Sequence, residues 1–101
     1  MIAINNSPLF NPGRIVATPG CLEEVERSGQ SLDQFLALHF AGDWGVVGDD
    51  DKTANDEALR DGSRLLSAYV LKTGVKIWII TEAADDNGNR AATTALLPEE
   101  Y

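Results

Sequence analysis

Two spacings of apolar residues divide this chain. Up to Gly62 they recur at three and four positions, and from Ser63 onward they recur at two. The first regime predicts helices. In SLDQFLALHFAG, Leu32, Phe35, Leu36 and His39 fall on one stripe. Ser31 and Gln34 make a capping-box pair, each side chain satisfying the other residue's amide, and Gly42 stops the helix. Upstream, Thr18 stands as N-cap before Pro19, a residue favoured at the first helical position because that amide needs no partner. CLEEVERSG continues this helix for one or two turns, with Leu22 and Val25 on one face. Downstream, DDKTANDEALRDG carries a thin stripe of Ala54, Ala58 and Leu59. The acids at its start complement the positive helix end, and Gly62 is its C-cap.

The second regime predicts strands. SRLLSAYVLK and VKIWIITEA flank Thr73-Gly74, and RAATTALL follows DDNGN. Asn87-Gly88 is a hairpin signal because both residues tolerate positive φ. The middle segment is apolar on both faces, with Val75, Ile77 and Ile79 on one and Trp78 and Ile80 on the other. It therefore reads as a central strand covered at least in part on both sides. Pro98 ends the last strand. Near the N-terminus, Arg14 to Ala17 reads as a short strand between two Pro-Gly breaks, and its place in the sheet stays open. The expected architecture is one α+β domain: a short N-terminal strand, two or three helices, then a three-stranded antiparallel meander. Its core contains Leu32, Phe35, Leu36, Tyr69, Ile77, Trp78 and Ile79.

Composition narrows the setting. The chain has 101 residues, 44% hydrophobic and 24% charged, which suits a single globular core. No apolar run approaches the ~20 residues of a membrane span. MIAINNSPLF lacks a basic region followed by an apolar one, so no export signal is expected. A single cysteine excludes an internal disulfide and fits a reducing compartment, and the expected location is cytoplasmic. Sixteen acids against eight bases give a net charge of −8. That surface repels nucleic-acid phosphates and suits a basic protein partner, such as the nucleic-acid groove of another protein. The plainer reading is that acidity keeps the chain soluble.

Candidate chemistry is sparse. One cysteine and one histidine exclude a structural zinc site. DDDKTANDEALR and DDNGNR resemble calcium loops but lack the mid-loop glycine, so no metal or cofactor is expected. Cys21 lies at a helix N-terminus that would lower its pKa, although a lone cysteine is more often a small buried hydrophobe. His39 lies in the last turn of its helix, where it can cap, and four residues before Asp43, where it can meet a carboxylate. Trp44 reads as an anchor closing the core. Thr81, Glu82 and Arg90 flank the long turn at the end of the central strand. Glu82 and Arg90 form either a cross-strand pair or, with His39 and Asp43, a polar pocket for acid–base work on an anionic substrate. Phosphate-binding loops and nucleophile elbows are absent.

GRIVATPG, HFAGDWG, NDEALRDGSRLLSAY, WIITEA and TTALLPEEY resemble a family of roughly hundred-residue bacterial proteins of plasmids and other mobile elements. Its members carry labels such as plasmid-related protein or type I restriction endonuclease subunit M. This chain is too short for a methyltransferase domain, so the resemblance implies a genomic setting. In the family pattern a Thr-Glu-Ala-Asp-Arg-Ser-like string runs straight into the last strand. Here TEAADDNGNRAATT is longer, and Arg90 is the match to that arginine. Two functions remain in view: a non-catalytic interaction or regulatory protein binding a basic partner (a nucleic-acid-binding or defence-system protein), or a small hydrolase or transferase using His39, Asp43, Glu82 and Arg90.

Overall fold

A computed structural model describes residues 8–101. The reading of the N-terminus as free of an export signal rests largely on residues 1–7, which lie outside them. The fold is α+β, and the described residues form three α-helices and a four-stranded mixed sheet: β1 (Arg14–Ala17), α1 (Pro19–Arg27), α2 (Leu32–Phe40), α3 (Asp49–Asp61), β2 (Leu65–Val70), β3 (Lys76–Thr81), β4 (Ala92–Leu96), then a 3-10 turn at Pro98–Glu100. The sheet order is β1-β4-β3-β2. The antiparallel meander of β2, β3 and β4 is present, and it is not the whole sheet. β1 adds to β4 in parallel, with Arg14 beside Ala92 and Ala17 beside Ala95. That pairing joins segments nearly eighty positions apart, and no local spacing encodes it.

The helices begin and end where their caps predict. Thr18 Oγ1 accepts the Cys21 amide at 3.1 Å, with Pro19 at the first position. Ser31 Oγ accepts from Asp33 at 3.2 Å, while Gln34 Oε1 accepts the Ser31 amide at 3.4 Å. α3 starts at Asp49, and Asp49, Asp50 and Asp51 form its first turn, where the positive helix end favours them. Two stripes differ from expectation. α1 buries Cys21 and Val25, four apart, and leaves Leu22 48% exposed. α3 buries Asn55 and Ala58, while Ala54 is exposed.

All three helices cover one face of the sheet. Cys21, Val25, Phe35 and Leu36 pack on Tyr69, Ile77, Ile79 and Ala95, with Leu32 partly buried against them. A second cluster joins Trp44, Ala58 and Leu65, so Trp44 is the anchor its position suggests. Trp78, expected in the core, points to the opposite face and is half-buried.

The β2 edge is sealed. Asn55 Nδ2 donates to the Leu66 carbonyl at 2.7 Å, and its Oδ1 accepts the Leu66 amide at 3.1 Å. The next outward pair is closed by Ala68 N–H to Trp44 O at 3.1 Å and Val46 N–H to Ala68 O at 2.7 Å. Gly45 permits this approach, because a Cβ there would lie 1.9 Å from the Ala68 oxygen and its φ is +76°. Asn55→Ala removes both bonds to Leu66 and is expected to cost about 1–3 kcal/mol, since two part-buried backbone groups lose their partner. Equilibrium urea unfolding checks the value.

Candidate functional site

The four residues proposed for acid–base chemistry come from the end of α2, the turn after it, and the β3–β4 connection. The structure brings two of them, His39 and Arg90, against one ring, that of Phe10. Phe10 meets His39 edge-on, with centroids 5.3 Å apart, and carries the Arg90 guanidinium 5.8 Å from its own centroid.

His39 faces inward from the apolar stripe and is fully buried, and its ring nitrogens bond side chains of the sheet instead of capping the helix. Its Nδ1 lies 2.5 Å from Ser67 Oγ and its Nε2 lies 2.9 Å from Thr81 Oγ1. Thr81 Oγ1 is 2.7 Å from Thr93 Oγ1, which donates to the Pro12 carbonyl at 2.7 Å. This chain has one consistent set of protons. A carbonyl only accepts, so the Thr93 proton goes to Pro12, and Thr81 must donate to Thr93. Thr81 therefore accepts from His39 Nε2–H. A neutral imidazole has a single N–H, which leaves Nδ1 to accept from Ser67. Burial holds His39 in that neutral form by pushing its pKa down to about 4. An imidazole–carboxylate contact with Asp43 does not form. Asp43 Oδ1 instead accepts the Gly45 amide at 3.2 Å, and its main-chain oxygen accepts from the Tyr69 hydroxyl at 2.6 Å.

Arg90 is buried and binds backbone. Its Nη1 donates to the carbonyls of Ser63 at 2.7 Å and Glu82 at 2.9 Å, and its Nη2 donates to Ala58 O at 3.1 Å. It thus ties the C-terminal end of α3 to both sides of the β3–β4 connection, at the helix end where a cation is favoured. Burial lowers its pKa, and the Asp61 carboxylate opposes that. The partner at Glu82 is its main-chain oxygen, while the Glu82 side chain is exposed. Among the described residues, no ion pair joins Arg90 to Glu82 or Asp43. The pocket imagined for these four side chains is therefore not assembled. His39 and Arg90 are engaged internally, and the Asp43 and Glu82 carboxylates stand in solvent.

The turn itself also differs from the simplest hairpin. Asn87 does not take positive φ, whereas Gly88 does, at +80°. Gly88 N–H donates to Asp85 O at 2.9 Å and Asp85 N–H to Asn89 O at 2.8 Å. This is a three-residue loop with a glycine bulge, and Asp85 Oδ1 secures it by accepting the Asn87 and Asn89 amides.

Cys21 is a buried free thiol. Burial, with Glu100 nearby, pushes its pKa up to about 11, so the lowering expected from the helix end does not occur. Beside α3 a shallow open cleft of about 430 Å³ is lined by the Ala41–Gly45 turn, Lys52 and Asp56. Asp56 accepts the Trp44 indole N–H at 3.1 Å there. No buried side-chain nitrogen or oxygen among the described residues lacks a partner. No cluster of three metal-ligating side chains occurs among them either, nor a helix long and apolar enough to cross a membrane.

Ser67 and Thr93 are the residues that sequence reasoning missed. A signal existed: each is a small hydroxyl residue in the inward phase of an apolar strand, between Leu65 and Tyr69 and two before Ala95. Comparison with family models, curated proteins and solved structures finds no match to this chain.

Proposed function

We propose that this chain is a small non-catalytic interaction or regulatory protein of a mobile element, and that its acidic helical layer docks on a basic protein partner. The observation that carries the reading is where the charge lies. Residues 18–62, which hold all three α-helices, contain eleven acids and three bases, a balance of −8; the rest of the chain contains five of each, a balance of zero. The whole net charge thus belongs to one layer. Among the described residues the acids in ion pairs are Glu23 and Glu24, both with Arg27 on α1. On α3 the carboxylates of Asp49, Asp50, Asp51 and Glu57 are exposed to solvent. The internal engagement of His39 and Arg90 weighs against the hydrolase or transferase alternative.

A contact of this kind weakens as salt rises, since exposed charges more than about 10 Å apart are screened at 0.1 M. The test is capture from the native host with the purified chain at low and high salt, beside a variant carrying Asp49→Asn, Asp50→Asn and Asp51→Asn. The expected result is one identified basic protein, retained at low salt and released both by high salt and by the triple substitution. Capture of nothing above background, or binding indifferent to salt and to the substitutions, would overturn the proposal.

A further inference from the structure

The helices leave the second face of the sheet bare of helical cover. Strand register puts Val16 beside Thr94, Thr94 beside Ile80, and Ile80 beside Leu66; Leu96, Trp78 and Ala68 form the adjacent row, and Val70 lies beside Lys76. The buried side chains of α1 and α2 all pack on the other face. What lies over this one, among the described residues, is Tyr101, its ring 5.8 Å from that of Trp78. Arg64 donates to the Tyr101 hydroxyl and sits 5.6 Å from its ring centroid. Ile80, Leu96 and Ala68 on this face are already buried, Val16, Leu66 and Trp78 are half-buried, and the open apolar surface is Val70 at 49% exposed and Tyr101 at 71%.

We propose that this face is a self-association surface on which two copies of the chain stack about a two-fold axis. Charge selects the occupant. Two helical layers of −8 repel each other, whereas the strand-bearing segments balance to zero, so the sheet face is where two copies can approach. Its rim carries both signs, Arg14 and Lys76 with Glu82 and Glu99, which suits a surface that must complement itself. The face carries a Trp, a Tyr and an Arg in mutual contact, the residue types that dominate binding energy at interfaces. Sheets stack face to face about 10 Å apart, and four strands of four to six residues offer at most roughly 20 by 20 Å. That is at the low end for a specific complex, so the dimer is weak and concentration-dependent. This contact does not use the acidic layer as its interface and needs no basic partner.

The experiment is sedimentation equilibrium of the full chain from about 1 µM to about 1 mM, with acrylamide quenching of tryptophan fluorescence on the same samples. The expected result is a mass rising from 10.9 kDa toward twice that value. Trp78 should become protected in parallel, with buried Trp44 as the constant background. Salt should strengthen the association by screening the helical layers, the reverse of its effect on a basic partner. Val70→Glu, at an exposed position, should weaken the dimer at least about tenfold. Any of four results overturns the proposal. These are a monomer at every concentration with Trp78 open to quencher; a monomer with Trp78 protected throughout, meaning residues 1–7 cover the face; an open-ended series of masses, meaning the helical layer of one copy docks on the sheet of the next; or a dimer indifferent to Val70→Glu that leaves Trp78 quenchable.

Discussion

Arg90→Ala is expected to lower the unfolding free energy by about 3–5 kcal/mol, a large share of the stability of a domain this size. Three carbonyls, those of Ala58, Ser63 and Glu82, lose their donor together, the bond to Ala58 being buried and the other two partly buried. For a domain of this length each kcal/mol moves the melting temperature by about 4–8 °C, so the shift should be roughly 15–30 °C. Arg90→Lys is expected to recover less than half of the loss. Two separate guanidinium nitrogens reach carbonyls on opposite sides, and a single ammonium cannot span them. Thermal melts of both variants beside the parent check this. An arginine held ready for a substrate anion would behave differently: its removal would leave the melting temperature nearly unchanged.

The second large effect is a pH dependence set by His39. Its pKa in the folded chain is about 4, against 6.5 in the unfolded chain, and burial is the cause. The folded state therefore resists protonation that the unfolded state accepts. Stability is full above about pH 6.5 and is lost as pH falls toward 4, by about 3 kcal/mol from this residue alone. Protonation would also turn Nδ1 from acceptor to donor against Ser67, breaking the single direction of the hydrogen-bond chain. Many carboxylates titrate over the same range, so the informative quantity is the difference between the parent and His39→Gln. Urea midpoints should converge as pH falls from 7 to 4.5, because the parent loses stability that the neutral variant never had. A constant difference across that range would contradict this role.

Much of the fold was legible because its determinants are local. The Thr18 and Ser31 caps, the αL cap at Gly62 and the period change at Ser63 each act within a few residues. The parallel addition of β1 to β4 was not legible, because no residue of RIVA specifies a partner near the C-terminus. Trp78 went to the uncovered face for a related reason. A strand apolar on both sides does not say which side the helices take. At the site, the sequence singled out His39 and Arg90, the two polar residues that matter most to the interior, and misjudged what they do. Placing a histidine beside GDWG suggests a carboxylate partner. Its real partners, Ser67 and Thr81, are brought in from two strands by tertiary packing. Arg90 and Glu82 do come together, through the main chain rather than through opposite charges.

The central claim is that the interior polar groups hold the fold and the surface carries the function. The most direct test is ¹⁵N NMR of the His39 imidazole across pH. A structural His39 is expected to be neutral with its proton on Nε2, to keep that tautomer down to about pH 5, and to exchange its N–H slowly with water. An imidazole that titrates between about pH 6 and 7, with both nitrogens in rapid exchange with solvent, would place His39 at an open site and contradict the account.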